Sequence, residues 1–155
     1  MKNFILFIGT IFLILVLIEC EEPDKNITYV RTELGGCNGQ DFNDFKSAGE
    51  EQEDTVIFTI YKDTLDIYVG INYICCAPFT PESIISNDSI IMTLNDTCSN
   101  PYITCYCRCM CYYTFDFLFV DFEEKEYFFK IILNDPREEN PTIFREGKID
   151  LSTKN

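Results

Sequence analysis

From Thr55 onward the chain changes from polar to alternating. Val56, Phe58 and Ile60 interleave with Thr55, Ile57 and Thr59; beyond Lys62-Asp63, the apolar positions Leu65, Ile67, Val69, Ile71 and Tyr73 interleave with Thr64, Asp66, Tyr68, Gly70 and Asn72. A period of two written in β-branched and aromatic residues marks half-buried strands, and Lys62-Asp63 between them predicts a hairpin. Asn87-Asp88 predicts a second hairpin, between Ser83-Ile84-Ile85 and Ile90-Ile91-Met92-Thr93-Leu94, because Asn and Asp tolerate the positive φ of tight connections. A third is expected where Tyr113, Phe115, Phe117 and Phe119 share one face, Glu123-Glu124-Lys125 turns, and Tyr127, Phe129, Ile131 and Leu133 return. Pro136 and Pro141 interrupt pairing, and Lys148-Ile149-Asp150-Leu151 offers a last strand. No stretch beyond the N-terminal segment carries a 3.6-residue period. The expected fold is all-β, a small, cysteine-rich antiparallel β-sandwich over residues 55–155.

The residues before Thr55 read differently. Lys2 precedes a charge-free apolar run from Phe4 to Ile18, short for a bilayer span of about 20 residues but suited to a secretory signal peptide over residues 1–19. Residues 20–54 are polar, acidic and Gly-containing, and read as a tether followed by a loop pinned at Cys37. Leu17-Ile18-Glu19-Cys20 resembles the lipobox of bacterial lipoproteins, with Glu19 standing where that pattern has a small residue. The acidic cluster Glu21, Glu22 and Asp24 is similar to the export signal of surface-displayed lipoproteins. The resemblance spans only about the first 25 residues. It implies that Cys20 is lipidated and becomes the new N-terminus, holding the domain to the membrane through a lipid anchor at the cell envelope, as an outer-membrane or cell-surface lipoprotein. The alternatives are a secreted chain that discards Cys20 with an ordinary signal peptide, and an uncleaved anchor. Asn26-Ile27-Thr28, Asn87-Asp88-Ser89 and Asn95-Asp96-Thr97 match the glycan acceptor pattern, which matters only in a secretory pathway that glycosylates it.

The sequence holds 9 cysteines, and setting Cys20 aside leaves an even number, as full disulfide pairing requires. Cys105, Cys107, Cys109 and Cys111 occupy alternate positions of CYCRCMC, so an extended chain presents them on one face, in line with Tyr113 to Phe119. A strand of that length calls for a bulge or bend near Cys111 to Thr114. Same-face neighbours are about 6.5 to 7 Å apart, at or beyond the reach of a disulfide. The run is therefore expected to pair with Cys37, Cys75, Cys76 and Cys98, its connectivity left open. Cys75 and Cys76 point to opposite faces if extended, so a loop or bulge is required for both to reach one cluster. The rival reading is a thiolate site for zinc or copper(I) at Cys105, Cys107, Cys109 and Cys111, because no histidine is present to contribute. A redox relay lacks its C-x-x-C spacing.

Net charge and absences narrow the function classes. A formal charge of −14 repels phosphate backbones, so no nucleic-acid partner is expected. Without histidine, Ser-His-Asp and Cys-His machinery is excluded. Two carboxylates suffice for glycoside hydrolysis, and Asp63, Asp66 and Asp116 lie on or beside strands. Tyr68, Tyr73, Tyr106 and Tyr112 either cover the second sheet or stack on a sugar or protein ligand. The expectation is a non-enzymatic binding or envelope protein without cofactor, its ligand a protein or glycan. A thiolate metal-binding protein and a carboxylate-dependent hydrolase are the alternatives.

Overall fold

A computed structural model describes residues 26–37, 52–100 and 105–152; residues 1–19, Cys20 and most of the 20–54 stretch lie outside the described residues. Eight strands follow in order: β1 Thr28–Gly36, β2 Thr55–Tyr61, β3 Thr64–Ile74, β4 Phe79–Ser86, β5 Ser89–Asp96, β6 Met110–Val120, β7 Glu126–Asn134 and β8 Thr142–Asp150. They form two four-stranded sheets, ordered β1-β6-β3-β2 and β4-β5-β7-β8. The all-β, cysteine-rich sandwich expected from the alternation is the fold observed.

Burial follows the period of two closely. Leu65, Ile67, Val69 and Ile71 of β3, Phe115, Phe117 and Phe119 of β6, and Ile90, Met92 and Leu94 of β5 are all almost completely buried. Ring contacts bind the two layers. Phe79 meets Tyr113 at 5.0 Å and Phe115 at 5.3 Å edge-on, and Phe58 of β2 meets Phe129 of β7 at 4.8 Å. Such T-shaped pairs add to the area term because the positive ring edge faces the negative face of its neighbour.

Two hairpins stand as expected. β2 and β3 close around Lys62-Asp63, β4 and β5 around Asn87-Asp88, and Lys62 and Asn87 take positive φ angles of 57° and 53°. The third does not form. β6 is antiparallel to β1 on one edge and to β3 on the other, so no edge remains for β7. Residues 121–125 instead carry the chain across to the second sheet, where β7 lies parallel to β5 and antiparallel to β8. The second sheet is thus mixed rather than antiparallel. Alternation records which face of a strand is buried and is silent on which edge it pairs.

Two further boundaries move. Thr28–Gly36, expected within the tether and loop, is β1, paired to β6 through a bulge between Tyr29 and Arg31. The last strand begins at Thr142, earlier than Lys148.

Candidate functional site

The ends of β1, β3, β5 and β7 and the starts of β4, β6 and β8 meet at one end of the sandwich, and every described cysteine gathers there. Cys37 bonds Cys111, Cys75 bonds Cys109, Cys76 bonds Cys107 and Cys98 bonds Cys105, with Cα separations of 6.1, 5.4, 5.5 and 5.7 Å. Each member of the alternating run thus pairs with one of the four cysteines outside it. The run is not a strand throughout. β6 starts at Met110 and holds register with β3 without a shift, whereas Cys105 to Cys109 are irregular, so the break falls before Cys111 instead of after it. Partners lying in different directions explain this, because a straight strand would aim all four sulfurs to one side.

The vicinal pair is served by a turn. Cys76 has φ 67°, which redirects its side chain relative to Cys75. The Cys75 amide donates to the Cys109 carbonyl at 2.9 Å, and the Cys107 amide donates to the Cys75 carbonyl at 3.0 Å. Tyr113 locks the turn from below: its hydroxyl donates to the Ile74 carbonyl at 3.1 Å and accepts from the Ala77 amide at 3.0 Å. Among the described residues, no group of three Cys, Asp or Glu side chains is placed to hold an ion.

Beside the disulfides lies a polar network. Asp96 and Asp135 are the buried carboxylates among the described residues. Asp96 accepts the Tyr106 hydroxyl at 2.6 Å, the Tyr73 hydroxyl at 3.0 Å and the Cys98 amide at 2.9 Å. Asp135 is gripped by the Arg137 guanidinium at 2.5 Å and by the Arg137 amide at 2.9 Å. The guanidinium also lies 4.8 Å from the Tyr73 ring centre and 5.1 Å from that of Tyr106, a cation–π contact with both. Burial pushes the Asp135 carboxyl up, but the Arg137 hydrogen bonds outweigh it and leave it below the usual carboxylate range. Burial, and then the neighbouring carboxylates, push both tyrosines up, so they remain neutral donors. The network ties the end of β5 and Tyr106, beside the Cys98–Cys105 disulfide, to the β7–β8 connection, with every member engaged.

The carboxylates expected as hydrolytic candidates are split by the fold. Asp63 occupies the β2–β3 turn. Asp66 and Asp116 share the outward face of the first sheet, where Asp66 pairs with Leu118 and Tyr68 with Asp116, one step away along each strand. Glu33 of β1 lies directly opposite Asp116. Burial first, and then the charges of Asp66 and Glu33, raise the Asp116 carboxyl. Tyr112 folds across Gly70, where a Cβ would collide with its hydroxyl, and reaches Tyr68. Burial and that hydrogen bond push Tyr68 up to about 12. Of the four tyrosines considered as ligand platforms, Tyr73 is core, Tyr106 belongs to the polar network, and Tyr68 and Tyr112 cover their own sheet.

The outward face of the second sheet offers a feature that period-two reading assigns to solvent. Ile84 pairs with Ile91, and Ile132 with Ile143. Lys130, opposite Ile91, lies between Phe128 and Ile132 on the same face of β7. Ile84, Ile91, Phe128, Ile132 and Ile143 thus form an apolar cluster around Lys130, whose ammonium pairs with Glu146 at 3.1 Å; Ile84 is 62%, Phe128 52% and Ile143 52% exposed, and Ile91 and Ile132 are half-buried. Asp96, Asp135, Arg137 and this cluster were not singled out by sequence; runs such as Ser83-Ile84-Ile85 and Ile90-Ile91-Met92 carry an outward isoleucine that alternation alone would make polar.

No protein-family model, curated protein or solved structure matches this chain.

Proposed function

We propose that the chain is an exported recognition domain, held at the cell envelope through a lipid on Cys20, that binds a protein partner rather than turning over a substrate. The observation that carries the binding reading is the cluster Ile84, Ile91, Phe128, Ile132 and Ile143 on an otherwise polar sheet face. Clustered apolar side chains on a sheet face mark an interaction site, here with the Lys130–Glu146 ion pair in their midst, and Phe128 under Lys148, 4.9 Å from its ring centre, supplies an aromatic anchor at the margin. Export is supported by the four disulfides, which persist in oxidising compartments and brace a domain that meets the outside. Asp66 and Asp116 are half-buried among the side chains of one sheet face, Asp66 with an Oδ1 that has no hydrogen-bond partner, an arrangement unlike a pair of catalytic acids working in a cleft that grips the sugar.

The test is the intact mass of the chain recovered from the membrane fraction of its producing cells, followed by partner capture with wild-type and Phe128→Asp protein. A chain starting at Cys20 with acyl mass, and a partner lost on Phe128→Asp, support the reading. A soluble chain without acyl mass removes the anchor, and a partner indifferent to Phe128→Asp removes the assigned surface.

A further inference from the structure

Each sheet has two edges, and proteins guard such edges because their unpaired amides and carbonyls recruit other strands. Three of the four are guarded here. β1 carries Arg31, Glu33 and a bulge between Tyr29 and Arg31. β4 carries Pro81 and Glu82, and β8 carries Arg145, Glu146, Lys148 and a bulge opposite Ile131 and Ile132. β2 has none of these devices. Its sequence TVIFTIY contains no charge, proline or glycine and pairs with β3 without a register shift. Ile60 has the inward parity of Val56 and Phe58 yet is 40% exposed, while Ile57 and Tyr61 are 51% and 67% exposed.

We propose that β2 is a self-association edge, on which a second copy of the chain adds its own β2 antiparallel across a twofold axis to join two sheets into one of eight strands. The register follows from the strand itself. Tyr61 and Thr64 close a two-residue turn, so they form a hydrogen-bonded pair, and alternation turns the amides and carbonyls of Val56, Phe58 and Ile60, unpartnered among the described residues, outward. Placing Phe58 on the axis sets Phe58 against its own copy, Val56 against Ile60 and Ile57 against Thr59. These matches keep inward side chains together and cover Ile60. The same register brings Asp54, at the start of one strand, to Lys62, at the end of the other, twice by symmetry. Shifting by two residues in either direction loses this pairing of opposite charges. Asp54 is held in place by its Oδ1, which accepts from the Asn72 amide at 2.7 Å, and Lys62 lies over the Tyr61 ring at 5.1 Å. Glu53 and Asp63 meet as like charges in this arrangement, at the turn where the strands diverge. The net charge of −14 opposes association at low salt, and at about 0.15 M its reach falls to about 8 Å. This edge lies on the other sheet from the apolar cluster, and the inference does not rest on the anchor or on the protein partner.

Sedimentation of the purified, oxidised chain at about 0.15 M salt, from about 1 to about 300 μM, tests it. Wild type is expected to shift from monomer to dimer across this range. Ile57→Lys and Thr59→Lys, both outward and exposed, should each remain monomeric while their cysteines stay blocked to alkylation. Asp54→Lys and Lys62→Asp should each weaken the dimer about three- to tenfold, and the double reversal should restore it. Asp54→Lys is the more telling, since it lowers the net negative charge and would favour association by any unspecific route. A wild type monomeric throughout, a dimer indifferent to lysine at Ile57 and Thr59, or a double reversal that fails to restore would each overturn the proposal.

Discussion

At the scale of single residues, the polar groups buried near the disulfides carry more than their number suggests. Tyr113 is 1% exposed, and its hydroxyl satisfies both a carbonyl and an amide flanking the Cys75-Cys76 turn. Replacing it with Phe removes one oxygen and takes the partner from a buried amide and a partly buried carbonyl. Tyr113→Phe is expected to lower stability by about 1–3 kcal/mol, read as a drop in the urea midpoint of the oxidised protein. Asp116 behaves in the opposite sense. Its folded carboxyl titrates above the ordinary value, so ionisation opposes folding at neutral pH and that penalty vanishes once the pH falls below the unfolded value. Asp116→Asn should therefore be more stable than wild type at pH about 7, with the advantage gone at pH about 3. Equal differences at both pH values would show that the acidic face does not strain the sheet. Asp135 has the usual sign for a paired carboxylate: its contribution is present above the unfolded value and is lost as pH falls through the lowered folded one.

At the scale of elements, the four disulfides are unequal. Cys98–Cys105 spans a sequence separation of 7, whereas Cys37–Cys111 spans 74 and fastens β1 to β6. The other cross-links shorten the larger loop to about 40 residues, and the entropy of closing it still exceeds that of the small loop by about 1–2 kcal/mol. Replacing both cysteines of the Cys37–Cys111 pair with Ser is expected to cost that much more than the same change at Cys98–Cys105, measured by thermal or urea unfolding. The elements also differ in how far they could be read beforehand. β3, β5 and β6 were legible because each buries one full face, so side-chain parity is written into every second residue. β1 was not: its bulge breaks the parity, Val30 and Leu34 are 44% and 45% exposed, and the strand exists because β6 offers an edge and Cys111 a covalent hold. The β6–β7 connection misled for a related reason, since two good strands joined by a polar turn look like a hairpin whenever the competing edges are unseen. The identity of the cysteines facing the run was legible from the length of a disulfide against the rise of a strand. Their individual matching was not, because it depends on where β3 and β5 end relative to β6.

For the whole molecule, one end is covalently braced and the opposite end is held by weaker means. There Lys125 bridges Asp88 and Glu123 at 2.8 and 2.5 Å, and the Glu123 amide donates to the buried Tyr127 hydroxyl at 3.1 Å. Exposed ion pairs of this kind contribute about 0–1 kcal/mol, so the cross-linked end is the part that resists opening. It also presents the Asp96, Asp135 and Arg137 network, which sequence could not assemble because its members come together only when β5 and β7 run side by side in parallel. The central claim is that CYCRCMC is a row of anchor points for the fold, each sulfur already spent on a structural bond. The most direct test is to alkylate the native protein, digest it unreduced with trypsin, which cuts after the exposed Arg108 and separates Cys105 and Cys107 from Cys109 and Cys111, and, since peptide 63–108 carries Cys75, Cys76, Cys98, Cys105 and Cys107 together, reduce stepwise with a different alkylating label at each step and place the labels by fragment sequencing. The expected result is no alkylated cysteine among these eight before reduction, with Cys109 tied to Cys75, Cys111 to Cys37, Cys107 to Cys76 and Cys105 to Cys98. Alkylation of the run in the native protein, or metal released on denaturation in proportion to protein, would contradict it and make the four thiols the functional site.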